Sequence, residues 1–469
     1  MHSTGYDMKL IQAQQLMTSS LRSLPQGGKI AEILAHSVNS VNPAHCVREH
    51  LKRAGRELVI NGDKISLDQY RRVLLIGFGK ASLPMTRAAA DIFSDKPIQG
   101  ITIIKKGIHE DLSEVPRNVR IYKGGHPLPD RDGLEGTQEI IDLLSSTTEK
   151  DLVLFLISGG GSALLTAPAE GLSLEEVCRL NELLLRCGAS INEINTIRKH
   201  ISRVKGGRLA AQAFPAPTIS LILSDVIRDP LDMIASGPTL PDPTTFEEAL
   251  SLISKYHLEE DMPSAVLAHL KNGELGKVPE TPKPGDPVFK QGYVKLIGNN
   301  HQAAASAVEK AASEGFHTLH LTSCYQGEAR EIGLFLGAVL RQMATTGDPL
   351  PRPACLVAGG EATVVLEKGR QTGRGGRNQE LALSATKALD NLSDAVLLAL
   401  ATDGNDGPTD AAGAVVTGET HQRASSRGLS LQAHLEEHNA YAYFDALGDL
   451  LKPGLTQTNV NDLIYLFTL

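Results

Sequence analysis

The sequence alternates short, continuously apolar runs with stretches of helical periodicity, and this alternation constrains the fold more than any other feature. Strands buried on both faces give continuous apolar runs, and strands that alternate with helices form largely parallel sheets. The pattern therefore predicts an α/β fold. One set of runs comprises RRVLLIGFGKAS, GITIIKKG, VRIYKGGH, DLVLFLISGGG and TISLILSD, and a second set comprises VKLIGNN, TLHLTSCYQG, CLVAGGEATVVL and AVLLALATDGNDG.

A polar stretch of roughly residues 243 to 290 separates the two sets and carries the Pro/Gly cluster TPKPGDP. A chain of 469 residues exceeds the size that one hydrophobic core usually serves, so two domains are expected. Clusters of Pro and Gly commonly punctuate domains. We place the boundary near residue 248, which predicts domains of residues 1–248 and 249–469.

The composition argues against several classes of protein. A formal net charge of −8 does not suit a protein that neutralises many phosphates, so nucleic acid is not an expected partner. The five cysteines are scattered without a CxxC spacing, so neither a disulfide framework nor a zinc site is expected. The sequence has no apolar run of the length that crosses a membrane, so no membrane partner is expected.

The expected location is the cytoplasm. Scattered cysteines suit a reducing compartment. The first 24 residues lack the long apolar core of a secretory signal, but they are Ser-rich and weakly amphipathic, which leaves a mitochondrial presequence open.

The stretch LLIGFGKAS places two glycines and Lys80 between a strand and a helix. It resembles a dinucleotide-binding motif, but Ser82 stands where the third glycine belongs, and the next strand ends in Lys105 and Lys106 instead of an acid. A lysine beside the first N–H groups of a helix favours the binding of an anion at that position. The alternative is a tight turn with a solvated lysine.

The stretch DLVLFLISGGGSALL is the strongest anion-site candidate. Because glycine has no Cβ atom, three consecutive glycines let a ligand approach the backbone closely and let the chain adopt positive φ. Their N–H groups, two flanking hydroxyls and a following helix together suit phosphate oxygens, which predicts a nucleotide site. The alternative is a turn that only packs a strand against a helix. The residues predicted to bind the nucleotide are Ser158, Gly159, Gly160, Gly161 and Ser162.

Acidic residues follow two of the predicted strands. LILSDVIRDPLDMIASGP brings Asp225 to a strand end, and LALATDGNDGPTD brings Asp403, followed by Asp406. Carboxylate oxygens suit Mg²⁺, which commonly binds through one or two carboxylates plus substrate phosphates. One of these aspartates could instead take the proton of an attacking hydroxyl. The alternative for each is an Asx turn or a helix cap.

Two further segments concentrate cations. GRGGRNQELAL presents Arg374 and Arg377 around a glycine turn, where a guanidinium offers paired donors to a carboxylate or phosphate. NTIRKHISRVKGGRLA carries Arg198, Lys199 and Lys205 at helical spacing, which favours a solvated face for most of its charges.

Taken together, these motifs resemble the class II glycerate kinases of the MOFRL type. The resemblance begins near residue 30, covers nearly the whole chain, and follows the family order. It is carried by GFGKAS, GGHPLPDRDG, LISGGGSALL, INTIRKHISRVKGGRLA, LSDVIRDPLDMIASGPT, GGEATV, GRGGRNQELAL, TDGNDGPTDAAGAVV and TNVND.

The resemblance implies an ATP-dependent D-glycerate kinase that most often makes 2-phosphoglycerate. It implies a Rossmann-like, largely parallel, doubly wound N-terminal domain and a smaller α/β MOFRL domain, with the active site in the cleft between them. Lys80 and Arg377 match the functional lysine and arginine of the family. One departure is Gln457, in GLTQTNVND, at a position that is usually glycine.

On this basis we expect D-glycerate, ATP and Mg²⁺ as the small-molecule partners. A homodimer is left open, because the sequence carries no readable mark of oligomeric state. Lys80 or Arg377 would face the glycerate carboxylate, and Ser158 or Asn299 its hydroxyls. The expected catalytic residues are Lys80, Arg377, Asp225 and Asp403, and the expected metal ligands are Asp225, Asp403 and Asp406.

Two other functions remain as alternatives. An NAD(P)-dependent hydroxypyruvate or 2-hydroxyacid reductase would act on a similar acid, and the basic pair Lys105 and Lys106 keeps NADP open. A non-catalytic sensor of sugar acids or nucleotides would keep the binding loops alone, but such a chain is expected to lose Lys80, the aspartates or Arg377 first, and all are present.

Overall fold

The computed structural model describes residues 9–60, 62–107, 112, 114–366 and 372–469. The strands are β1 (Lys52–Ala54), β2 (Glu57–Ile60), β3 (Asp63–Ser66), β4 (Arg72–Phe78), β5 (Ile98–Lys105), β6 (Val119–Gly124), β7 (Asp151–Ser158), β8 (Thr218–Leu223), β9 (Gly292–Gly298), β10 (His317–Glu328), β11 (Ala354–Thr363), β12 (Ala395–Ala401), β13 (Gly413–Thr417), β14 (Leu450–Leu451) and β15 (Asp462–Thr468).

The α-helices are α1 (Ser19–Ser23), α2 (Gly27–Asn39), α3 (Pro43–His50), α4 (Ser82–Ile92), α5 (Arg131–Leu144), α6 (Gly161–Leu164), α7 (Leu174–Arg186), α8 (Ile191–His200), α9 (Arg208–Ala213), α10 (Phe246–Lys255), α11 (Ser264–Glu274), α12 (Asn300–Ser313), α13 (Ala329–Thr346), α14 (Arg377–Leu389), α15 (Thr420–Ser426), α16 (Leu431–Glu436) and α17 (Ala440–Leu447). Short 3-10 turns span Ala13–Leu16, Leu67–Gln69, Ile234–Ser236 and Pro287–Phe289. None of the helices in the described part of the chain has the length and apolar character needed to span a membrane.

The chain divides into two compact units. The central unit is Pro43–Ile297, and the terminal unit joins the N-terminal residues up to Asn42 with Gly298–Leu469. The predicted boundary near residue 248 falls inside α10. This helix belongs to the central unit because Phe246 and Ile253 pack into one apolar cluster with Leu180 of α7 and Ile197 of α8.

The sheet of the central unit has the strand order β6-β5-β4-β7-β8-β9. Parallel pairing joins β4 to both β5 and β7, β5 to β6, and β7 to β8, so the direction of winding reverses at β4. All eight residues of β7 are buried, as its continuous apolar sequence predicts. Ligands bind outside the carboxyl ends of the strands at such a reversal point.

The predicted α/β class and the doubly wound sheet are confirmed. One strand assignment is wrong, because VKLIGNN forms β9 beside β8 in the central sheet and does not join the second set of runs.

The terminal unit contains a second sheet, of order β10-β11-β15-β12-β13-β14. β10 and β11 are parallel, while β15 runs antiparallel to both β11 and β12. Sequence analysis did not identify β13, β14 or the central strand β15. Before β15, Gln457 has a φ of 61°, a left-handed conformation that favours glycine, and this accounts for the glycine that is usual there.

Candidate active site

The Lys80 turn and the glycine loop meet at the carboxyl ends of β4 and β7. The backbone N–H of Lys80 donates to the Gly159 carbonyl at 2.9 Å, and that of Ala81 donates to the Ser158 hydroxyl at 2.9 Å. A Cβ atom on Gly79 would lie 2.3 Å from the Ser158 hydroxyl oxygen. The two turns predicted to bind anions therefore form one connected structure.

Gly160 lies between the side chains of Lys80 and His126, and sequence analysis gave His126 no role in the site. The φ of 79° at Gly160 is left-handed, and Gly160 caps the short helix α6. A Cβ atom here would lie 2.9 Å from Cδ2 of His126 and 3.4 Å from Cγ of Lys80. Close approach of these two side chains to the backbone therefore requires glycine.

Asp225 joins the same cluster from the end of β8. A Cβ atom on Gly159 would lie 1.8 Å from Oδ2 of Asp225, so the carboxylate packs directly against the glycine loop. The segment after it contains non-glycine residues with left-handed backbone, including Ser236. Strained backbone persists only where the surrounding contacts enforce it, and such positions are common at functional sites. Lys80, the glycine loop and Asp225 are therefore brought together as predicted.

His126 carries the GGHPLPD motif into this cluster. Burial, together with the charges of Lys80 and Lys105, lowers the pKa of His126 to about 4. The imidazole is therefore neutral near pH 7, and one ring nitrogen can accept a hydrogen bond while the other donates. The motif itself was the signal for this residue, because it was among those that carry the family resemblance.

The hydroxyls flanking the glycines are already engaged. Ser158 is buried and accepts from the N–H of Ala81, while the Ser162 hydroxyl lies 2.8 Å from that of Ser236. Ser236 in turn donates to Oδ1 of Asn195. Ser162 therefore donates to Ser236, whereas Ser158 accepts from Ala81 and keeps its own O–H hydrogen for donation. Phosphate binding by these hydroxyls stays a prediction.

The cations of α8 and the turn after it do not form the solvated face predicted from their spacing. Lys199 is fully buried, with its Nζ atom 3.2 Å from Asp242 and 3.3 Å from Asp232. Lys205 is also buried, and Arg198 is largely so. Helical spacing misled here because Asp232 and Asp242 lie against Lys199, and Asn181 of α7 lies against Arg198.

Arg377 begins α14 in the terminal unit, where two carboxylates hold it. Nη1 donates to Oε1 of Glu361 at 2.5 Å, Nε lies 2.6 Å from Oδ2 of Asp462, and Nη2 donates to Oδ1 of Asp462 at 3.2 Å. Burial alone would lower the pKa of Arg377, but the charges of Asp462 and Glu361 outweigh it and raise the pKa above its usual value. The guanidinium is permanently charged and fixed in orientation.

Asp462 and Glu361 were not assigned a role in sequence analysis. Asp462 is buried at the start of β15, and burial raises its pKa to about 7 although Arg377 opposes the shift. Glu361 lies near the end of β11. The signals were present, because these residues sit in TNVND and GGEATV, two of the motifs that carry the family resemblance.

Asp406 does not have the placement expected of a metal ligand. It is buried, and its two carboxylate oxygens accept from the N–H groups of Asn378 and Gln379 at 3.1 and 2.9 Å. Burial raises its pKa to about 6 despite these bonds. Asp406 therefore caps the first turn of α14, the helix that begins with Arg377.

Asp403 and Asn299 also make local bonds. Oδ1 of Asp403 accepts from the N–H of Asn405 at 3.1 Å in an Asx-type turn, and its side chain is partly exposed. Oδ1 of Asn299 accepts from the N–H of Gln302 at 2.9 Å and caps α12. The side-chain oxygen of Asn299 is therefore used as a helix cap, and the expected donation by Asn299 to a substrate hydroxyl stays a prediction.

Within the described ranges, no three or more His, Cys, Asp or Glu side chains are grouped so as to hold a metal ion. A divalent ion would therefore rely on one or two carboxylates and on oxygens of its ligands, which is the usual arrangement for Mg²⁺. Asp225 follows β8 in the central unit and Asp403 follows β12 in the terminal unit, and metal binding by either residue stays a prediction.

Comparisons with known proteins cover most of the chain. Residues 29–271 match a domain of unknown function (DUF4147), and residues 354–462 match the MOFRL family. The D-glycerate 2-kinase of Thermotoga maritima is 41% identical, with 92% of this chain and 96% of that protein covered. A protein of Agrobacterium vitis named putative hydroxypyruvate reductase is 39% identical, with 84% of this chain and 86% of that protein covered.

A solved structure agrees with these relatives. The crystal structure of glycerate kinase from Thermotoga maritima superposes with a TM-score of 0.82 at 39% identity, covering 93% of this chain and 98% of the solved chain. Sequence, domain order and fold therefore agree, and the chain belongs to the glycerate kinase family of the MOFRL type.

Proposed function

We propose that the protein transfers the γ-phosphoryl group of ATP to the 2-hydroxyl of D-glycerate and requires Mg²⁺. Membership of the glycerate kinase family supports glycerate phosphorylation, and the relative from Thermotoga maritima carries the name D-glycerate 2-kinase. The choice of D-glycerate, of 2-phosphoglycerate as product and of Mg²⁺ is our inference.

The observation that carries the proposal is the meeting of Lys80, the glycine loop and Asp225 at the reversal point of the central sheet. Phosphoryl transfer needs little covalent chemistry from a protein, because positioning and charge neutralisation supply most of the rate. A cation, a set of backbone donors and a carboxylate are the three groups that the reaction uses. All three approach one another around Gly159 and Gly160.

We assign one role to each group. Asp225 accepts the proton of the 2-hydroxyl as its oxygen attacks the γ-phosphorus. The new O–P bond forms while the bond between the γ-phosphorus and the bridging oxygen breaks, and ADP leaves with that electron pair. Lys80 and the N–H groups of the glycine loop neutralise the phosphoryl oxygens during transfer.

Asp403 is the residue that we assign to a bound Mg²⁺. It offers carboxylate oxygens just after β12, and the lack of a larger acidic cluster in the described chain suits an ion that takes its other ligands from ATP. When bound, Mg²⁺ supplies neutralisation of the phosphate charge. Asp406 is not assigned a metal role, because its oxygens cap α14.

The terminal unit contributes a second charged cluster, which we propose serves the same reaction. Arg377 is fixed by Glu361 and Asp462, and two carboxylates around one guanidinium set its direction. A pre-oriented planar donor can stabilise charge that develops during transfer at no reorganisation cost. Asp403 follows β12 in the same unit.

The second candidate is a reductase of hydroxypyruvate, which the name of the Agrobacterium vitis relative favours. The structure gives little support for binding of the NADP 2′-phosphate at the basic pair Lys105 and Lys106. Lys106, one of the cations that kept NADP open, forms ion pairs with Asp130 and Asp132. A cation held by two carboxylates is poorly placed to receive a 2′-phosphate.

Product identity tests the finer part of the proposal. Purified protein would be supplied with ATP, Mg²⁺ and D-glycerate, and the product offered to enolase with or without phosphoglycerate mutase. We expect phosphoenolpyruvate with enolase alone, because 2-phosphoglycerate is its direct substrate. A signal that depends on the mutase would mean that the 3-hydroxyl is phosphorylated.

A further inference from the structure

The central unit contains a cavity of about 250 Å³ beside the glycine loop. Gly160, Ser162 and His126 line one side, and Arg198 and Lys205 line another. Gly160 also approaches Lys80, so the cavity borders the cluster to which we assign phosphoryl transfer. The sequence analysis gave none of its cations a role in binding.

Arg198 is a largely buried guanidinium without an ion pair among the described residues. Its Nε donates to Oδ1 of Asn181 at 2.6 Å, which fixes the plane of the group and directs its terminal nitrogens elsewhere. Burial lowers its pKa, in agreement with the lack of an ion pair to Arg198 among the described residues. An uncompensated buried charge is costly, so its retention points to an anion that pairs with it.

Lys205 adds a second buried positive charge. Its Nζ donates to the carbonyls of Ser162 and Leu165 at 2.7 and 2.9 Å, which ties down the turn after the glycine loop. Burial and the charge of Arg198 lower its pKa to about 7. The described residues that line the cavity include no Asp or Glu. The walls therefore favour an anionic ligand.

We propose that this cavity binds the carboxylate of the acceptor, with Arg198 as its anchor and Lys205 as the residue that positions the adjoining turn. The assignment rests on the proposed function. The terminal nitrogens of a guanidinium held at Nε match the two oxygens of a carboxylate. Leu128, Val177 and Leu185 line the remainder and suit a short carbon skeleton.

The size of the cavity favours the acid over the nucleotide. A volume of about 250 Å³ lies below the range of about 300–1,000 Å³ that drug-sized ligands occupy. A three-carbon hydroxy acid fits this volume. With the carboxylate on Arg198, Lys80 keeps its proposed role at the phosphoryl group.

The test compares two acceptors that differ only at the proposed contact. Glycerol has a hydroxymethyl group where D-glycerate has its carboxylate. For Arg198→Met we expect kcat/KM for D-glycerate to fall on the order of 100-fold, with the KM for ATP unchanged. The preference for D-glycerate over glycerol should shrink by the same factor. A merely structural defect would lower both acceptors together.

Arg203→Met is the matched control. Arg203 lies on the same segment, does not line this cavity, and donates to Gln138 at 3.0 Å. It should keep the acceptor preference of the unmodified protein. Arg198→Lys serves as a second variant that keeps the charge but loses the paired donors, and thermal unfolding of each protein identifies any that do not fold.

Isothermal titration of D-glycerate without ATP separates the two proposals. If the unmodified protein binds D-glycerate and Arg198→Met does not, this result supports Arg198 as the carboxylate-binding residue even when no kinase activity is found. An unchanged acceptor preference in folded Arg198 variants would overturn the anchor. A raised KM for ATP with intact glycerate binding would also overturn it and make the cavity a phosphate site.

Discussion

Nε of Arg377 lies 2.6 Å from Oδ2 of Asp462, although 85 residues separate the two in the chain. The first residue of α14 is thereby joined to the first residue of β15, and Glu361 holds the other side of the guanidinium. Asp462 is buried, so its charge depends on this partner. Together, these contacts at Nε, Nη1 and Nη2 fix the orientation of the Arg377 guanidinium.

Arg377→Lys tests whether that planar geometry matters. A point charge cannot reproduce paired donors, so kcat/KM for D-glycerate should fall about 100-fold or more. Arg377→Ala should lose at least as much activity, and it should also lower the melting temperature because it leaves Asp462 buried without a cation. Steady-state kinetics and thermal melts measure both effects.

Arg374→Lys is the control for this pair, because Arg374 sits on the same turn but is exposed, above the ring of Tyr441 and 3.5 Å from Asp410. It should keep near-native kcat/KM. Retention of full activity by Arg377→Lys would make Arg377 a structural residue.

Gly160→Ala tests the tight meeting of Lys80, His126 and the glycine loop. The added Cβ atom would lie 2.9 Å from His126, so the side chains must move and kcat should fall at least tenfold. Gly171→Ala is the matched control, since its φ of 82° imposes the same backbone strain with no atom within 4 Å of the new Cβ. Both variants should lose about 1 kcal/mol of stability. Equal activities would remove the loop from the mechanism.

Removal of metal should stop the reaction. Excess EDTA is expected to abolish ADP formation, and added Mg²⁺ to restore it, because the strand-end carboxylates need an ion to reach ATP. Asp225→Asn and Asp403→Asn divide the roles. Asp225→Asn removes the proposed general base and should lower kcat by 10²–10⁴ at saturating Mg²⁺, whereas Asp403→Asn removes the proposed ligand and should raise the Mg²⁺ concentration needed for half-maximal rate. Undiminished activity in chelated buffer contradicts the metal requirement.

His126 should make stability depend on pH. Burial and the charges of Lys80 and Lys105 lower its pKa from 6.5 to about 4, so the unfolded chain binds a proton more readily between these values. The contribution is present above pH 6.5 and is lost as the pH falls toward 4. His126→Asn should therefore flatten the acid limb of unfolding free energy measured by urea titration. An identical limb in both proteins would show that His126 titrates normally.

Much of the central site could be predicted from sequence because its signals are local. Lys80, the glycine loop and Asp225 each follow a continuous apolar run, and the carboxyl ends of neighbouring parallel strands share one edge of the sheet. These three segments meet because β4, β7 and β8 are neighbours in the central sheet. The hydrogen bonds of the Ser158 and Ser162 hydroxyls could not be predicted, because their partners Ala81 and Ser236 lie on other segments.

The terminal unit was harder to predict because its pairings are long-range. β15 pairs antiparallel with β11 and β12, outside the repeating pattern of parallel strands and helices, so the strand that carries Asp462 was missed. The bonds from Asp406 to the first turn of α14 could not be predicted, because the two segments are 27 residues or more apart in the chain. Arg198 was predicted to be solvated because its partner Asn181 lies on another helix, α7.

The central claim is that the protein transfers a phosphoryl group to glycerate, and one comparative assay tests it most directly. Purified protein would be given D-glycerate with Mg²⁺ and ATP while ADP release is followed, and in parallel hydroxypyruvate with NADH or NADPH while nicotinamide oxidation is followed. We predict ADP release that depends on D-glycerate, and no oxidation of either nicotinamide above background. Hydroxypyruvate-dependent oxidation without glycerate-dependent ADP release would contradict the account.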